Sequence, residues 1–212
     1  MTLFDLLFLV SALFLVICVL LILISAMRSR FDRLRWWTRL LLSYLALYAT
    51  ALLLTSLLSS RRVFAPGQRR CWDDWCTTGV RAFPPDASAT PVCPSAPGTR
   101  VWLAEIEVSS AAKRVRQRAP DARVELEDQQ GTDYPPCASW LGQGTNPPHA
   151  LSDPLGPGES FPVLLPFQLP LSQQPAGIVV RHGQFPGLLI IGDDNSFLHR
   201  RTLQRIAVTP KS

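Results

Sequence analysis

The stretch Met27–Arg39, MRSRFDRLRWWTR, stands between two long apolar runs, Leu3 to Ala26 and Leu40 to Leu58. Its five arginines, Arg28, Arg30, Arg33, Arg35 and Arg39, meet a single acid, Asp32. At about 1.5 Å per residue the first run reaches ~36 Å, enough to cross a ~30 Å hydrocarbon core with some tilt. Its only charge is Asp5, and the second run has none. A pair of soluble core helices would need polar faces, which neither run offers. The reading is a transmembrane hairpin over residues 1–58, with helices at about 3–26 and 37–58 and a connector at 27–36. Trp36 and Trp37 suit the membrane–water interface. The first run lacks a basic stretch before it and is too long for a cleavable signal. Bulky Ile17 before Cys18 argues against a lipoprotein site, so Cys18 is expected to be a small buried apolar residue.

Charge is unevenly spread. The net charge of +5 divides into +3 over residues 1–60, +4 over 61–70 and −2 over 71–212. The basic excess therefore flanks the membrane, where arginine meets anionic lipid heads. A mildly acidic remainder disfavours nucleic acid as a partner. Five arginines in the connector against Arg61, Arg62, Arg69 and Arg70 place the connector in the cytoplasm by a narrow margin. Only two of the twenty-one basic residues are lysine, a bias that a GC-rich bacterial genome would produce.

Four cysteines, Cys71, Cys76, Cys93 and Cys137, follow the hairpin. An even number outside the cytosol reads as two disulfides, with three pairings possible on paper. Cys71 and Cys76 enclose only four residues, whereas Cys93 and Cys137 lie in proline-rich loops, Thr90 to Gly98 and Tyr134 to Pro148. The expected bridges are Cys71–Cys76 and Cys93–Cys137. A four-cysteine zinc site normally needs two close pairs, and only one is present. Oxidised cysteines imply the periplasm, so the protein is expected in the inner membrane as a multi-pass chain with its N-terminus and C-terminal domain outside the cytoplasm.

Residues 59–70 read as a basic tether and 71–212 as the folded domain. Arg100 to Ser110 gives the cleanest pattern, with Trp102, Ala104, Ile106 and Val108 on one face and Glu105, Glu107 and Ser109 on the other. Alternation of that length is a half-buried antiparallel strand. Further strands are expected at Thr77–Phe83, Arg123–Asp128, Phe161–Phe167 and Thr202–Val208, with short apolar runs at Ile178–Arg181 and Leu188–Ile191. Pro162 and Pro166 lack donors, so their strand belongs at an edge or bulge. Short strands without an amphipathic helix argue for an all-β, antiparallel β-sandwich.

Lys113, Arg114, Arg116 and Arg118 form a basic run, read either as a solvated hairpin end or as a patch for anionic polymer or lipid heads. No G-x-S-x-G, H-E-x-x-H or phosphate-binding glycine loop is present. The candidate metal ligands are Asp193 and Asp194 with His182 and His199. Adjacent aspartates lack the alternation of a calcium loop, so a turn is the ordinary reading of Gly192–Ser196. Asp73-Asp74 reads as a turn too, and Trp72 and Trp75 as core or interface residues. The expectation is a non-catalytic protein without cofactor.

Several phrases together carry a resemblance: CWDDWC at 71–76, VWLAEIEVSSAAKRVRQRA at 101–119, VELEDQQGTDYPP at 124–136, LGPGES at 155–160 and FPGLLIIGDDNSFLH at 185–199. They resemble a group of small bacterial membrane proteins with two transmembrane helices and an immunoglobulin-like ectodomain. The resemblance implies that fold and leaves activity open. Three functions stay in play: an envelope interaction module with the bilayer and another envelope protein or anionic envelope polymer as partners; a metal-dependent sensor or enzyme using residues 182–199; and an assembly factor acting through the hairpin.

Overall fold

The computed structural model describes residues 3–85, 93, 96–137 and 149–209. By contact they divide into two units, one of residues 1–60 with 184–200, the other of 61–183 with 201–212.

The first unit is built on two antiparallel helices, α1 (Leu3–Met27) and α2 (Phe31–Leu58). The turn between them is only Arg28–Arg30, shorter than the connector expected at 27–36. Ser29 adopts a left-handed backbone at φ 52°. It donates its N–H to Ala26, while Arg30 donates to Ser25 (both 3.0 Å). This pair of bonds is a Schellman ending, which satisfies the last carbonyls of α1. Arg30 then accepts from Leu34, so Phe31–Trp36 joins the second helix. Small residues seven apart, Ser11, Cys18 and Ser25, are buried along α1. They let the helices approach closely. Across the seam the Tyr44 hydroxyl donates to Ser11 Oγ at 2.6 Å, and Ser11 donates back to the Leu7 carbonyl.

The second unit is a β-sandwich. Its strands are β1 (Val63–Phe64), β2 (Arg69–Trp72), β3 (Trp75–Phe83), β4 (Thr99–Ser110), β5 (Arg123–Asp128), β6 (Asp133–Tyr134), β7 (Ser160–Pro170), β8 (Pro175–Arg181), β9 (Leu203–Arg205) and β10 (Ala207–Val208). One sheet runs β1-β9-β8-β5-β6; the other runs β10-β3-β4-β7, with β2 also on β3. The alternation of β4 puts Trp102, Ala104, Ile106 and Val108 into the core, against Val124, Leu126, Ile178 and Val180 of the facing sheet. Two polar struts cross that core. Buried Gln204 donates to Thr77 Oγ1 at 2.8 Å, and buried Arg70 donates to the Val180 carbonyl while stacking on Trp72. β7 closes one edge of its sheet, as Pro162 and Pro166 require.

Both expected disulfides are formed. Cys71 and Cys76 pair across the β2–β3 hairpin, whose two-residue turn is Asp73-Asp74. Cys137 donates its N–H to Pro166 of β7, so the second bridge ties Cys93 to that edge. Most of the loops expected at Thr90–Gly98 and Tyr134–Pro148 lie outside the described residues.

Three expectations need correction. Of the tether expected at 59–70, residues 61–70 are built into the sandwich: Leu203 donates to the Arg62 carbonyl, β1 pairs parallel with β9, and β2 pairs with β3. The single strand at Thr202–Val208 is two, because Ile206 tucks inward beside Gly79 and carries the chain from one sheet to the other. A Cβ on Gly79 would lie 2.9 Å from the Ile206 side chain, so this crossing needs glycine. Lys113–Arg118 is no hairpin end; it joins β4 in one sheet to β5 in the other, pinned by paired backbone bonds between Gln117 and Leu155. The short apolar run Leu188–Ile191 lies in a segment that groups with the helices rather than with the sandwich.

Candidate functional site

Among the described residues, histidine meets carboxylate at three places: an exposed His149–Asp153 pair at 3.3 Å, and one more enclosed assembly in each unit. In the sandwich, β8 ends at Arg181 and delivers His182 beside the β2–β3 hairpin. Its ring lies 5.1 Å from that of Trp75 and 6.3 Å from that of Trp72. Asp121, in the link before β5, contacts His182 Nδ1 at 2.6 Å through one oxygen and accepts from the Gly183 N–H at 2.8 Å through the other. Burial opposes its charge, but these hydrogen bonds outweigh it and hold the Asp121 carboxyl below the usual range. Trp75 is a core residue and Trp72 packs on the same core. The arrangement orients an imidazole against an aromatic floor. Sequence reasoning missed Asp121, whose only local signal is the Pro120-Asp121 pair in a turn.

In the helical unit, Ser59 caps the end of α2. Its Oγ donates to the Ser56 carbonyl at 2.7 Å and lies 3.1 Å from His199 Nδ1. The other ring nitrogen of His199 stands 3.9 Å from Asp194 Oδ1, and the histidine side chain is only 5% exposed. Asp193 accepts from the Asn195 N–H within the turn at Gly192–Ser196. Burial, followed by repulsion from Asp194 and Asp5, raises the Asp193 carboxyl despite that bond. His182 and His199 thus have different carboxylate partners. Among the described residues, no three His, Cys, Asp or Glu side chains form a group able to hold a metal ion.

One face of the β1-β9-β8-β5-β6 sheet carries an arginine–acid lattice absent from the sequence reading. Arg61 grips Glu127 with both terminal nitrogens and donates Nε–H to the Arg201 carbonyl. Arg181 and Arg201 both reach Glu125, and Arg201 also pairs with Asp133. Burial raises the Asp133 carboxyl, with Arg201 pulling the other way. By contrast, Lys113, Arg114, Arg116 and Arg118 are all exposed, as is Val115 among them. A cavity of about 760 Å³ is lined by Pro84, Pro85, Arg100, Trp102, Gln174 and Val208, and among its described lining residues Arg100 alone is charged.

No protein-family model and no curated protein matches the chain. Three solved structures are similar to it. A secreted protein of Mycobacterium tuberculosis, MPT63, is 15% identical at a TM-score of 0.43, with 59% of this chain and 92% of that one covered. An uncharacterised β-sandwich protein from Clostridium difficile 630 is 10% identical at 0.37, covering 69% and 96%. A conserved hypothetical protein from Bacillus anthracis is 14% identical at 0.39, covering 57% and 91%.

Proposed function

We propose that the chain is a membrane-anchored protein of the bacterial envelope, whose sandwich is a non-catalytic interaction module at the outer face of the inner membrane. One observation carries the reading. Although α1 and α2 pack together, only 11% of the most apolar window of each is buried, and rows of leucine face outward. A soluble helix pair would bury such faces; a bilayer solvates them. The arginine turn is then the cytoplasmic end. All five of its arginines are exposed, whereas Arg61 and Arg70 of the rival cluster are spent on Glu127, Arg201 and Val180 within the sandwich. The count of five arginines against four favours the same orientation. Two disulfides agree with an oxidising compartment.

The sandwich is of the immunoglobulin-like kind in this reading. Counted from β3, its first, second and fifth strands share one sheet, and its third, sixth and seventh share the other, as in that fold. The exposed Lys113, Arg114, Arg116 and Arg118 are the surface assigned to an anionic envelope polymer or an acidic face of another envelope protein. They take part in no ion pair among the described residues, unlike the arginines of the lattice.

A thiol reagent that cannot cross membranes tests the address. In intact cells opened only at the outer membrane, Cys71, Cys76, Cys93 and Cys137 should react after reduction and not before. Reaction without reduction, seen only after lysis, would overturn the placement. Partner recovery from detergent extract by the full chain, by the hairpin alone and by a chain with the four basic residues reversed to glutamate tests the role. The same partners on the hairpin alone would assign the function to the helices instead.

A further inference from the structure

β8 and β9 are hydrogen-bonded antiparallel neighbours, with Gly177 opposite Arg205 and Ile178 opposite Gln204. A short hairpin loop of ~2–5 residues could join them. Instead the chain makes a long excursion, and residues 184–200 belong to the helical unit. They reach the free end of the helix pair, opposite the arginine turn. Gly192 lies against the Phe4 ring at the start of α1, the Tyr48 hydroxyl donates to the Leu189 carbonyl at 2.7 Å, and Ser59 at the end of α2 meets His199.

The polarity of this excursion is inverted relative to a water-exposed loop. Phe185, Leu188, Leu189, Phe197 and Leu198 are 80, 44, 42, 50 and 55% exposed. Its polar groups turn inward: Ser196 is buried and donates to the Ile190 carbonyl, the His199 side chain is almost fully covered, and Asp193, Asp194 and Asn195 are half-buried. Six backbone hydrogen bonds close within the segment. Leu189 donates to Pro186, Ile190 to Gly187, Asp193 to Ile190, Ser196 to Asp193, Phe197 to Leu188 and His199 to Ser196. Inward polar groups, outward apolar side chains and internally paired backbone are what contact with hydrocarbon demands. The helices against which the segment packs expose their apolar side chains too, so one apolar solvent would serve both.

We propose that residues 185–198 form a second, non-spanning membrane contact: an interfacial loop whose Phe185, Leu188, Leu189, Phe197 and Leu198 side chains sit among lipid acyl chains at the free end of the hairpin. This rests on the membrane reading above. It makes the outer leaflet a partner of an excursion from the β8–β9 pair as well as of the helices. The inward-facing Asp194, His199 and Ser59 hold the loop in shape and stay out of the lipid.

Spin labels on the full-length chain in nanodiscs of phosphatidylethanolamine and phosphatidylglycerol test it. In a Cys18→Ser background, one free cysteine at a time is placed by Phe185→Cys, Leu198→Cys, Leu13→Cys or Val115→Cys. Leu13 is an outward residue of α1 and Val115 an exposed residue of the sandwich. The ratio of collision with oxygen to collision with a water-soluble nickel chelate reports immersion in hydrocarbon. The expected result is a ratio at 185 and 198 several-fold above that at 115 and approaching that at 13. Lipid-like values at 13 with water-like values at 185 and 198 would overturn the interfacial loop and leave the hairpin reading standing. A water-like value at 13 would overturn the hairpin reading, and the loop proposal with it.

Discussion

Replacing Arg61 by methionine isolates the ion pair whose carboxylate is the least exposed among those described in the sandwich. The Glu127 side chain is 7% exposed and that of Arg61 31%, so the pair sits between a surface and a buried salt bridge. An exposed pair contributes about 0.2–1 kcal/mol. Removing one partner of a fully buried pair costs about 3–5 kcal/mol, because the other charge stays uncompensated. The fork of two hydrogen bonds, with the Nε bond to the Arg201 carbonyl, places the expected loss at about 2–3 kcal/mol. For a domain of this size that is a fall of roughly 10 °C in Tm. Near-UV circular dichroism of the full chain in detergent follows it through buried Trp75 and Trp102. Adding Glu127→Gln removes the stranded charge and should restore about half of the loss. A change of less than ~2 °C for Arg61→Met, or a double variant no more stable than the single one, would refute the view that Glu127 depends on Arg61 for its charge.

The two disulfides should differ in weight. Cys93–Cys137 spans 44 residues and Cys71–Cys76 only 5, so loop-closure entropy assigns about 4 kcal/mol to the first and about 2 to the second; paired serine substitutions compared by thermal unfolding check the order. Gly177→Ala would set a Cβ 2.5 Å from the Gln204 carbonyl, prising β8 from β9 and costing about 1–3 kcal/mol in denaturant unfolding. Asp121 has its carboxyl lowered in the fold, so its ionised form stabilises the protein above the usual value of 3.8 and that contribution fades as pH falls below it. Asp121→Asn should therefore be less stable than the parent near neutrality, with the gap in Tm closing as the pH falls below 3.8; an unchanged gap would show that the carboxylate charge is not what matters there.

Much of the sandwich is legible because its strands carry period two. Arg100–Ser110 and Arg123–Asp128 match their observed strands to within a residue, and two prolines correctly assign β7 to an edge. Cysteine spacing and loop placement lead to both bridges. What escaped depends on partners remote in the chain. Val63–Phe64 is too short to show any period, and it becomes a strand only because Leu203–Gln204 lies beside it. Arg61 and Arg70 look like membrane-flanking charge, and only the fold turns them towards Glu127 and Val180. Asp193, Asp194 and His199 read as a metal-like cluster from composition, yet the candidate set splits because His182 is held by Asp121. The apolar run Leu188–Ile191 illustrates a different limit. Hydrophobicity tells that a segment avoids water but not whether it is covered by a sheet, by helices or by lipid.

The pairing of β1 with β9 and of β10 with β3 also sets a timetable. Residues 63–64 lie at the entrance to the sandwich, and the partners that secure them are residues 203–204; residues 207–208 complete the outer side of β3. During synthesis, at ~5–20 residues per second, the chain between those points emerges several seconds before either sheet can be finished. Until then β8 and β3 present incomplete edges, and such edges are templates for mispairing with other chains. The two bridges close residues 71–76 and 93–137, neither of which involves the late strands. Oxidation can therefore fix the early part of the domain while the edges that only residues 203–208 can cover are still open.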